Sequence, residues 1–456
     1  MPFKSNTRLP NSIVESLAND KSIRLFCYSG KFFIYEDNYY KEISKMKKWI
    51  ARYINNRQII STELIKEVES LLHLDSDFEL DENRYQIEPA RYINFKNGIL
   101  DLKKRQLIPH TPNIIFFSKI PYDYNPNAIT DVLTEKLIKN FIKSDNKEEE
   151  ARKRALIFEV LGVVLSNVRE LKNFLFIQGV KDTGKSTYCG LIMKLIGDEN
   201  YSSLPIQELN EGSFHLHEII GRKANILTET SDMPLKDITT LKKLTGGGSE
   251  KIMCKVKYIQ QSQQVTPKAL LIFAGNTIPP LWNGGDKTAF VERMIPVKFE
   301  SKVSEANKIT NILEKISMEY IIRESIERLY TFLDNNKVFT QPAQSKEMRN
   351  DLLNADDIIQ AFVGDCDTTD KTHKIHTKVL FEIFKLWANE NAYCINHITS
   401  NLFTRRLKEL DFENKKMSID NSPSLAGFMG INPPTYFWGS IVRNNTILSS
   451  AESQTA

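Results

Sequence analysis

One eight-residue stretch limits the fold of this chain more than any other feature. Residues 179–186 have the sequence Gly-Val-Lys-Asp-Thr-Gly-Lys-Ser, which matches the phosphate-binding pattern GxxxxGK[ST] at every fixed position. A strand-like apolar run at 174–177 precedes it, and a helix-like run at 188–196 follows it. A strand, a glycine-rich turn and a helix in this order point backbone N–H groups and a helix N-terminus at a phosphate. The sequence therefore predicts a nucleotide-binding loop in an α/β fold rather than a chance glycine turn.

Each residue type in this motif has a part in holding ATP and Mg²⁺. The glycines let the backbone wrap the phosphates, Lys185 reaches the β- and γ-phosphates, and the Ser186 hydroxyl is a ligand for Mg²⁺. We therefore expect ATP and Mg²⁺ as cofactors. The predicted nucleotide-binding residues are Gly179, Asp182, Thr183, Gly184, Lys185, Ser186 and Thr187.

Hydrolysis also requires an acid near the phosphates and a group that orients water. Glu229 follows the apolar run 224–227 and is predicted to polarise the attacking water or to help hold Mg²⁺. Thr228 stands where a second acid is common, which leaves a second metal contact open. Asn276 follows the strand-like run 269–274 and is predicted to orient the attacking water.

Arg293 borders another short apolar run and is the predicted transition-state arginine. In ring ATPases such an arginine reaches the γ-phosphate of the neighbouring subunit and neutralises charge, so this role requires an oligomer. Lys287 and Lys298 are the nearby alternatives.

Length and composition indicate a globular protein with several domains. The 456 residues allow roughly three domains, and 41% are hydrophobic while 26% are charged. No run approaches the roughly 18 apolar residues of a membrane span, and the N-terminus has no apolar core of the signal-peptide kind. We therefore expect a cytoplasmic protein with no membrane partner. The net charge of +4 alone does not decide for or against a nucleic-acid partner.

The pattern predicts an α/β multidomain chain with a P-loop ATPase core built on a parallel sheet. Hairpins are expected around Ser29-Gly30 and Asn97-Gly98. The predicted parts are a small α+β N-terminal domain (1–88), a helical region preceding the ATPase (89–170), the ATPase with a helical end (171–336), a polar linker (337–354) and a winged-helix DNA-binding domain (355–456).

Two basic segments are candidate DNA contacts. Lys251, Lys255 and Lys257 lie in a predicted hairpin with its tip near 257–263, and a solvated charged hairpin is the alternative. In the C-terminal part, a helix, a turn and a second helix at 401–410 precede strand-like segments, which predicts a winged helix-turn-helix. The alternative there is a small domain that contacts protein. The candidate DNA contacts of the second helix are Arg405, Arg406 and Lys408.

The order of these motifs resembles that of the superfamily 3 helicases, and most closely the phage and plasmid primase-helicase family that includes the poxvirus helicase-primase. More narrowly, the chain is similar to the Rep initiator-helicases of staphylococcal pathogenicity islands. The segments 94–101 and 107–110 also resemble the region that precedes the ATPase in the wider family. The motifs that carry the resemblance are the P-loop, Glu229, Leu244-Thr245-Gly246-Gly247-Gly248, Val265-Thr266-Pro267, Gly275-Asn276 and Arg293.

The resemblance implies an AAA+ ATPase that forms a homo-hexameric ring, with active sites between subunits and single-stranded DNA in the pore. It assigns Glu229 as the Walker B acid, Asn276 as sensor 1 and Arg293 as a finger acting in trans, and it places the lysine hairpin in the pore.

The implied function is an ATP-dependent replicative DNA helicase that initiates replication of a mobile element, moves 3′ to 5′ and binds origin duplex through its C-terminal domain. A primase or polymerase of the host or element is a further possible partner. Only about 90 residues precede the matched region, so no primase activity is expected. The alternatives are an initiator ATPase that melts an origin without processive unwinding, and an ATPase that remodels protein.

Overall fold

The computed structural model describes most of the chain between residues 8 and 434. The described residues are 8–20, 22–28, 30–54, 60–80, 87–168, 171–210, 213, 215–231, 233, 235, 237–247, 250–254, 263–265, 268–279, 287–391, 393, 395, 398–419 and 424–434. Within this part of the chain, no helix combines the length and the apolar character that a membrane span requires.

The N-terminal unit packs three helices against a three-stranded antiparallel sheet. The hairpin predicted around Ser29-Gly30 is confirmed, because Leu25 pairs with Ile34 and Tyr28 with Lys31. Val68 and Leu72 on the third helix are fully buried in the core of this unit. Its elements are α1 (Arg8–Asn19), β1 (Leu25–Tyr28), β2 (Lys31–Glu36), β3 (Tyr39–Glu42), α2 (Met46–Ile54) and α3 (Thr62–Leu74).

A second three-stranded antiparallel sheet follows, in the part of the chain where the sequence predicts a hairpin around Asn97-Gly98. The Asn97-Gly98 turn favours a hairpin over a helix, and the Asn97 side chain holds the turn through two hydrogen bonds with the backbone of Tyr124. The hairpin predicted there is confirmed, because Tyr92 pairs with Asp101 and Phe95 with Gly98, and the helices of the region predicted for 89–170 begin at Val132. The elements are β4 (Tyr92–Phe95), β5 (Gly98–Asp101), β6 (Gln106–Ile108), α4 (Val132–Ile142) and α5 (Lys147–Leu165).

The central sheet has five strands in the order β13-β7-β12-β9-β8, and every neighbouring pair is parallel. This confirms the predicted parallel sheet, whose short apolar strands are buried on both faces. The elements of this region are β7 (Phe174–Gln178), α6 (Lys185–Ile196), β8 (Tyr201–Ser202), β9 (Ala224–Leu227), α7 (Thr239–Leu244), β10 (Ile252–Cys254), β11 (Gln263–Val265), β12 (Leu270–Gly275), α8 (Lys287–Arg293), β13 (Met294–Lys298) and α9 (Met318–Asp334).

Helices cover both faces of this sheet. Alternate strand residues such as Leu175 and Ile272 pack in one core with α5, α6 and α9. Their neighbours Phe174 and Phe273 pack in a second core with α7 and α8. The period-two alternation of side chains along each strand thus divides the sheet between two cores.

The predicted linker, 337–354, contains the first half of a long helix, α10 (Ala343–Asp365). The Glu149 carboxylate on α5 accepts hydrogen bonds from the backbone N–H groups of Ala343 and Gln344, at 2.8 and 3.0 Å. Glu159, also on α5, accepts the N–H of Thr340 at 2.7 Å. Because a carboxylate at a helix N-terminus satisfies its free N–H groups, the segment is docked on α5 and does not form an extended connection.

The C-terminal unit continues from α10 in the order helix, strand, two helices and two strands. Phe362, Phe384 and Phe403 bring α10 and the next two helices into one aromatic core. Thr399 caps the last helix by accepting the N–H of Leu402. The elements are β14 (Lys374–His376), α11 (Thr377–Glu390), α12 (Ser400–Glu409), β15 (Asn414–Met417) and β16 (Leu425–Met429), and the antiparallel sheet has the order β14-β16-β15.

Candidate nucleotide-binding site

The P-loop, residues 179–186, runs from the end of β7 into the first turn of α6. Two of its motif positions favour glycine over any other residue. A side chain at Gly179 would put its Cβ 2.6 Å from the carbonyl oxygen of Phe299, and Gly184 has a φ of +91° at the N-cap of α6. Thr183 is buried and donates its hydroxyl hydrogen bond to the carbonyl of Val180 at 2.9 Å. The loop geometry therefore explains why these residue types stand at this spacing.

Lys185 lies inside the curve of this loop. Its Nζ donates to the carbonyl oxygens of Gly179 at 2.6 Å and Val180 at 2.9 Å, and it lies 3.3 Å from Oδ1 of Asn276. Partial burial lowers the pKa of the Lys185 ammonium, whereas the nearby Glu229 carboxylate acts to raise it. The ammonium is thus aimed at the loop concavity and at the end of β12.

A cavity of about 750 Å³ opens between the P-loop and the ends of β9 and β12. Since β12 lies between β7 and β9 and all three strands are parallel, their carboxyl ends meet at one edge of the sheet. The structure therefore brings together five of the predicted site residues: Asp182, Lys185, Ser186, Glu229 and Asn276. The lining residues are Lys181, Asp182, Lys185, Ser186, Thr228, Glu229, Thr230, Ser231, Gly275 and Asn276.

Two residues of this edge were missed by sequence reasoning. Gln178, the last residue of β7, donates its side-chain N–H to the backbone oxygen of Asn276 at 3.1 Å. Thr230 is 5% exposed and lines the cavity, and its hydroxyl has no hydrogen-bond partner among the described residues. The sequence could have pointed to Gln178, because it is a polar residue at the end of a buried strand, directly before the P-loop. It could also have pointed to Thr230, because that residue directly follows Glu229.

The outer side of the P-loop faces a second cavity, of about 590 Å³. Asp182, Gly184 and Thr187 line it together with residues of α4, such as Asn140, and with the segment 301–312. The Lys308 ammonium lies 2.9 Å from Oδ1 of Asp182, and its hydrogen bond lowers the pKa of that carboxyl. All seven predicted nucleotide-binding residues thus lie in the loop after β7 or in the first turn of α6, between two cavities.

Arg293 lies at the opposite edge of the sheet, where the strands begin. Met294 pairs with Phe174 at the first residue of β7, so Arg293 is separated from the P-loop by the length of β7, about 16 Å at about 3.3 Å per residue. Its Nη1 donates to the carbonyl of Ala289 in its own helix at 3.0 Å. The structure does not bring Arg293 to the cavity of its own chain.

The two alternatives to Arg293 are also held away from the cavity. Lys287 donates to the carbonyl oxygen of Leu353 at 3.2 Å, and Lys298 lies 3.5 Å from the Glu300 carboxylate.

The predicted lysine hairpin forms, but most of its tip lies outside the described residues. β10 and β11 are antiparallel, with Ile252 opposite Val265 and Cys254 opposite Gln263. Lys251 is exposed directly before β10. Lys255 and Lys257 lie outside the described part of the chain.

The basic helix of the C-terminal unit differs from its prediction in its side-chain contacts. Arg405 and Arg406 are 18% and 23% exposed, and they lie 3.5 and 3.1 Å from the carboxylate of Glu409. Lys408 is exposed. The two arginines, predicted to face DNA, thus share one carboxylate within the helix, because Glu409 follows them at i+4 and i+3.

Comparisons with known proteins match two separate parts of the chain. A family model described as "D5 N terminal like" matches residues 10–144, and a model of a family of unknown function (DUF5906) matches residues 177–293, which include the P-loop and Arg293. The first match supports the resemblance to the phage-type primase-helicases.

Matches among solved structures include those of the NrS-1 C terminal region. The A-form apo structure of that region has a TM-score of 0.47 and 14% identity, and the match covers 92% of this chain and 100% of that one. A second apo structure, of residues 305–718, has a TM-score of 0.48 and 11% identity and covers 94% and 100% of the two chains.

Proposed function

We propose that this protein is an ATP-dependent replicative DNA helicase and initiator of a mobile genetic element, acting as a hexameric ring. The observation that carries the proposal is the meeting of Lys185, Ser186, Glu229 and Asn276 around one cavity at the carboxyl edge of a parallel sheet. A phage-type replication protein is also what the match over residues 10–144 supports.

The donor set of the cavity fits a Mg²⁺–nucleotide complex. The Ser186 hydroxyl and the Glu229 carboxylate supply the oxygen ligands that Mg²⁺ prefers, directly or through its water shell. Bound Mg²⁺ neutralises charge that develops on the phosphates. Lys185 would exchange its contacts with the loop carbonyls for β- and γ-phosphate oxygens, and the N–H groups at the start of α6 would donate to the same phosphates. The second cavity, beyond Asp182, would receive the nucleoside.

Hydrolysis uses the two strand ends that face the phosphates. Glu229, after β9, polarises the attacking water. Asn276, after β12, orients that water against the γ-phosphate, and Gln178 fixes the backbone from which Asn276 projects. Thr230 follows Glu229, on the other side from Thr228, and its hydroxyl, which has no hydrogen-bond partner among the described residues, would be available to the bound complex.

The place of Arg293 favours a ring. A residue that is about one strand length from its own P-loop acts at a phosphate only when a neighbouring subunit presents that phosphate. Arg293 therefore acts in trans, in a site that lies between two subunits of a homo-hexamer.

DNA contacts come from the lysine hairpin in the pore and from the C-terminal unit. The order helix, strand, helix, helix, strand, strand supports a winged helix in which α12 follows a turn and β15 and β16 form the wing. The ion pairs of Arg405 and Arg406 leave Lys408 as the exposed cation of α12 for origin duplex. A primase or polymerase of the host or element takes over the unwound strands.

The deciding experiment is strand displacement on forked DNA that carries either a 3′ or a 5′ single-stranded tail, with ATP and Mg²⁺. Unwinding from the 3′ tail that disappears in Lys185→Ala is the expected result. ATP hydrolysis with origin melting but without strand displacement would replace this proposal by the origin-melting initiator. DNA-independent hydrolysis without any effect on duplex would favour remodelling of protein.

A further inference from the structure

The helix α2 presents a line of unneutralised positive charge on the N-terminal unit. Lys45, directly before the helix, and Lys48 and Arg52 within it are all exposed. At about 100° per residue, the three positions fall within a strip about 60° wide. None of the three side chains has a hydrogen-bond or ion-pair partner in the described part of the chain. These three residues are called the α2 basic strip below.

Two acidic residues of the N-terminal unit, one on α3 and one at the end of β3, pair with lysines outside the strip. Glu69 on α3 lies 3.8 Å from Lys47, which is on the other side of α2. Glu42 accepts a hydrogen bond from Lys31 at 2.8 Å. The helix itself contains no acidic residue. The positive charge of the α2 basic strip is therefore free to attract an anion.

An aromatic pair runs beside the strip. Trp49 and Tyr53 are one helical turn apart, and their rings stack with centroids 5.9 Å apart and planes 7° from parallel. Both side chains are half-buried, and the Tyr53 hydroxyl is 3.1 Å from Oγ of Ser16, which fixes the pair on the unit's core. A cationic line beside a fixed, partly exposed aromatic pair is the arrangement that tracks a phosphate backbone and stacks bases.

The apolar face of α2 decides between nucleic acid and a membrane surface. Met46 and Ile50, which a membrane-bound helix would insert, are buried in the core formed with α1 and α3. We propose that the α2 basic strip and the Trp49–Tyr53 pair bind single-stranded nucleic acid, as a contact separate from the hairpin and the C-terminal unit. This contact needs no nucleotide, so it goes beyond the proposed ATPase and does not depend on it.

The test measures binding of fluorescein-labelled oligo(dT) by fluorescence anisotropy, with the full chain and without nucleotide, over a range of salt concentrations. The variant Lys45→Gln/Lys48→Gln/Arg52→Gln should bind about tenfold more weakly, and its salt slope should fall by about 2, since each phosphate contact on a single strand contributes about 0.7. The matched control is Lys96→Gln/Lys103→Gln/Lys104→Gln, which removes three exposed charges from the β4–β6 region. An equal loss in both variants, or none in the first, would overturn the proposal.

A second measurement follows the tryptophan itself. Stacking of a base on Trp49 quenches indole fluorescence, so Trp49→Phe should lose part of the quenching by oligo(dT) while it keeps its thermal unfolding midpoint. Quenching identical to that of the unmodified chain would remove the aromatic pair from the contact. If the triple variant instead kept oligo(dT) affinity and lost binding to phosphatidylserine-containing vesicles, the strip would be a membrane-surface site and the proposal would be wrong.

Discussion

The two edges of the central sheet carry the predicted catalytic residues in different ways. At the carboxyl edge, residues that follow β7, β9 and β12 meet around one cavity. At the amino edge, Arg293 precedes β13 and is turned back onto its own helix. Because all strands of a parallel sheet run in one direction, a residue that follows a strand and a residue that precedes one lie at opposite edges of the sheet. This holds even when the two residues are close in sequence. Under the proposed function, one edge of this chain therefore holds most of a site, whereas the other supplies a residue to the site of a neighbouring subunit.

Loss of Lys185 is the largest effect expected at the carboxyl edge. Lys185→Ala removes the ammonium that faces both the loop concavity and Asn276, so ATP hydrolysis should fall by about 10²–10³-fold or more. Steady-state release of phosphate measures this, with Lys181→Ala as the control, since Lys181 is an exposed residue of the same cavity lining. Equal losses in the two variants would mean that the cavity is not organised around Lys185.

At the amino edge, loss of Arg293 is expected to affect the neighbouring subunit, whereas loss of Lys185 affects the subunit that carries it. Arg293→Ala should lower hydrolysis by about 10³-fold and leave nucleotide binding intact, because Arg293 does not reach the cavity of its own chain. In mixtures with unmodified chain, activity should fall more steeply than the fraction of variant. A loss in strict proportion, measured beside Lys298→Ala as the control, would show that Arg293 does not act across a subunit boundary and would remove the functional contrast between the two edges.

The sequence predicts the residues that follow the strands but not the order of the strands in the sheet. Strand-length apolar runs, each followed by a polar residue, were enough to predict the P-loop, Glu229 and Asn276 at one edge, because this signal is local. The position of β12 between β7 and β9 was not predictable, since strand order depends on contacts between distant segments. The same holds for Gln178, whose partner Asn276 is 98 residues away.

Charge was the least predictable property. A count of basic residues favoured Arg405 and Arg406 as DNA contacts, but each one pairs with Glu409. The polar composition of 337–354 suggested a linker, whereas the buried Glu149 of α5 caps the helix that begins there. The sequence does not show which of its many charged residues will pair, because the partners of Glu409 and Glu149 depend on the distances between side chains and backbone in the folded chain.

A smaller effect tests how the carboxyl edge is held together. Gln178→Leu removes the hydrogen bond to the backbone of Asn276, so that residue should orient water less well and kcat should fall by about tenfold. KM for ATP should change little, since Gln178 is a positioning residue and does not line the cavity. In the Asn276→Ala background the same substitution should have almost no further effect. A drop that persists there would mean that Gln178 acts through the fold of β7 and not through Asn276.

The smallest effect is expected on the outer side of the P-loop, where Lys308 holds Asp182. The pair is exposed to solvent, so Lys308→Ala should weaken nucleotide binding by only about two- to fivefold, and high salt should reduce the difference because it screens exposed charges. Titration with a fluorescent nucleotide at low and high salt measures both, and Lys302→Ala, in the same segment, is the control. A salt-independent loss would instead mean that Lys308 contacts the nucleotide within the second cavity. The nucleotide site would then include both cavities, one on each side of the P-loop. The carboxyl edge would therefore hold more of the site than the residues at the strand ends, and the amino edge would still hold only Arg293.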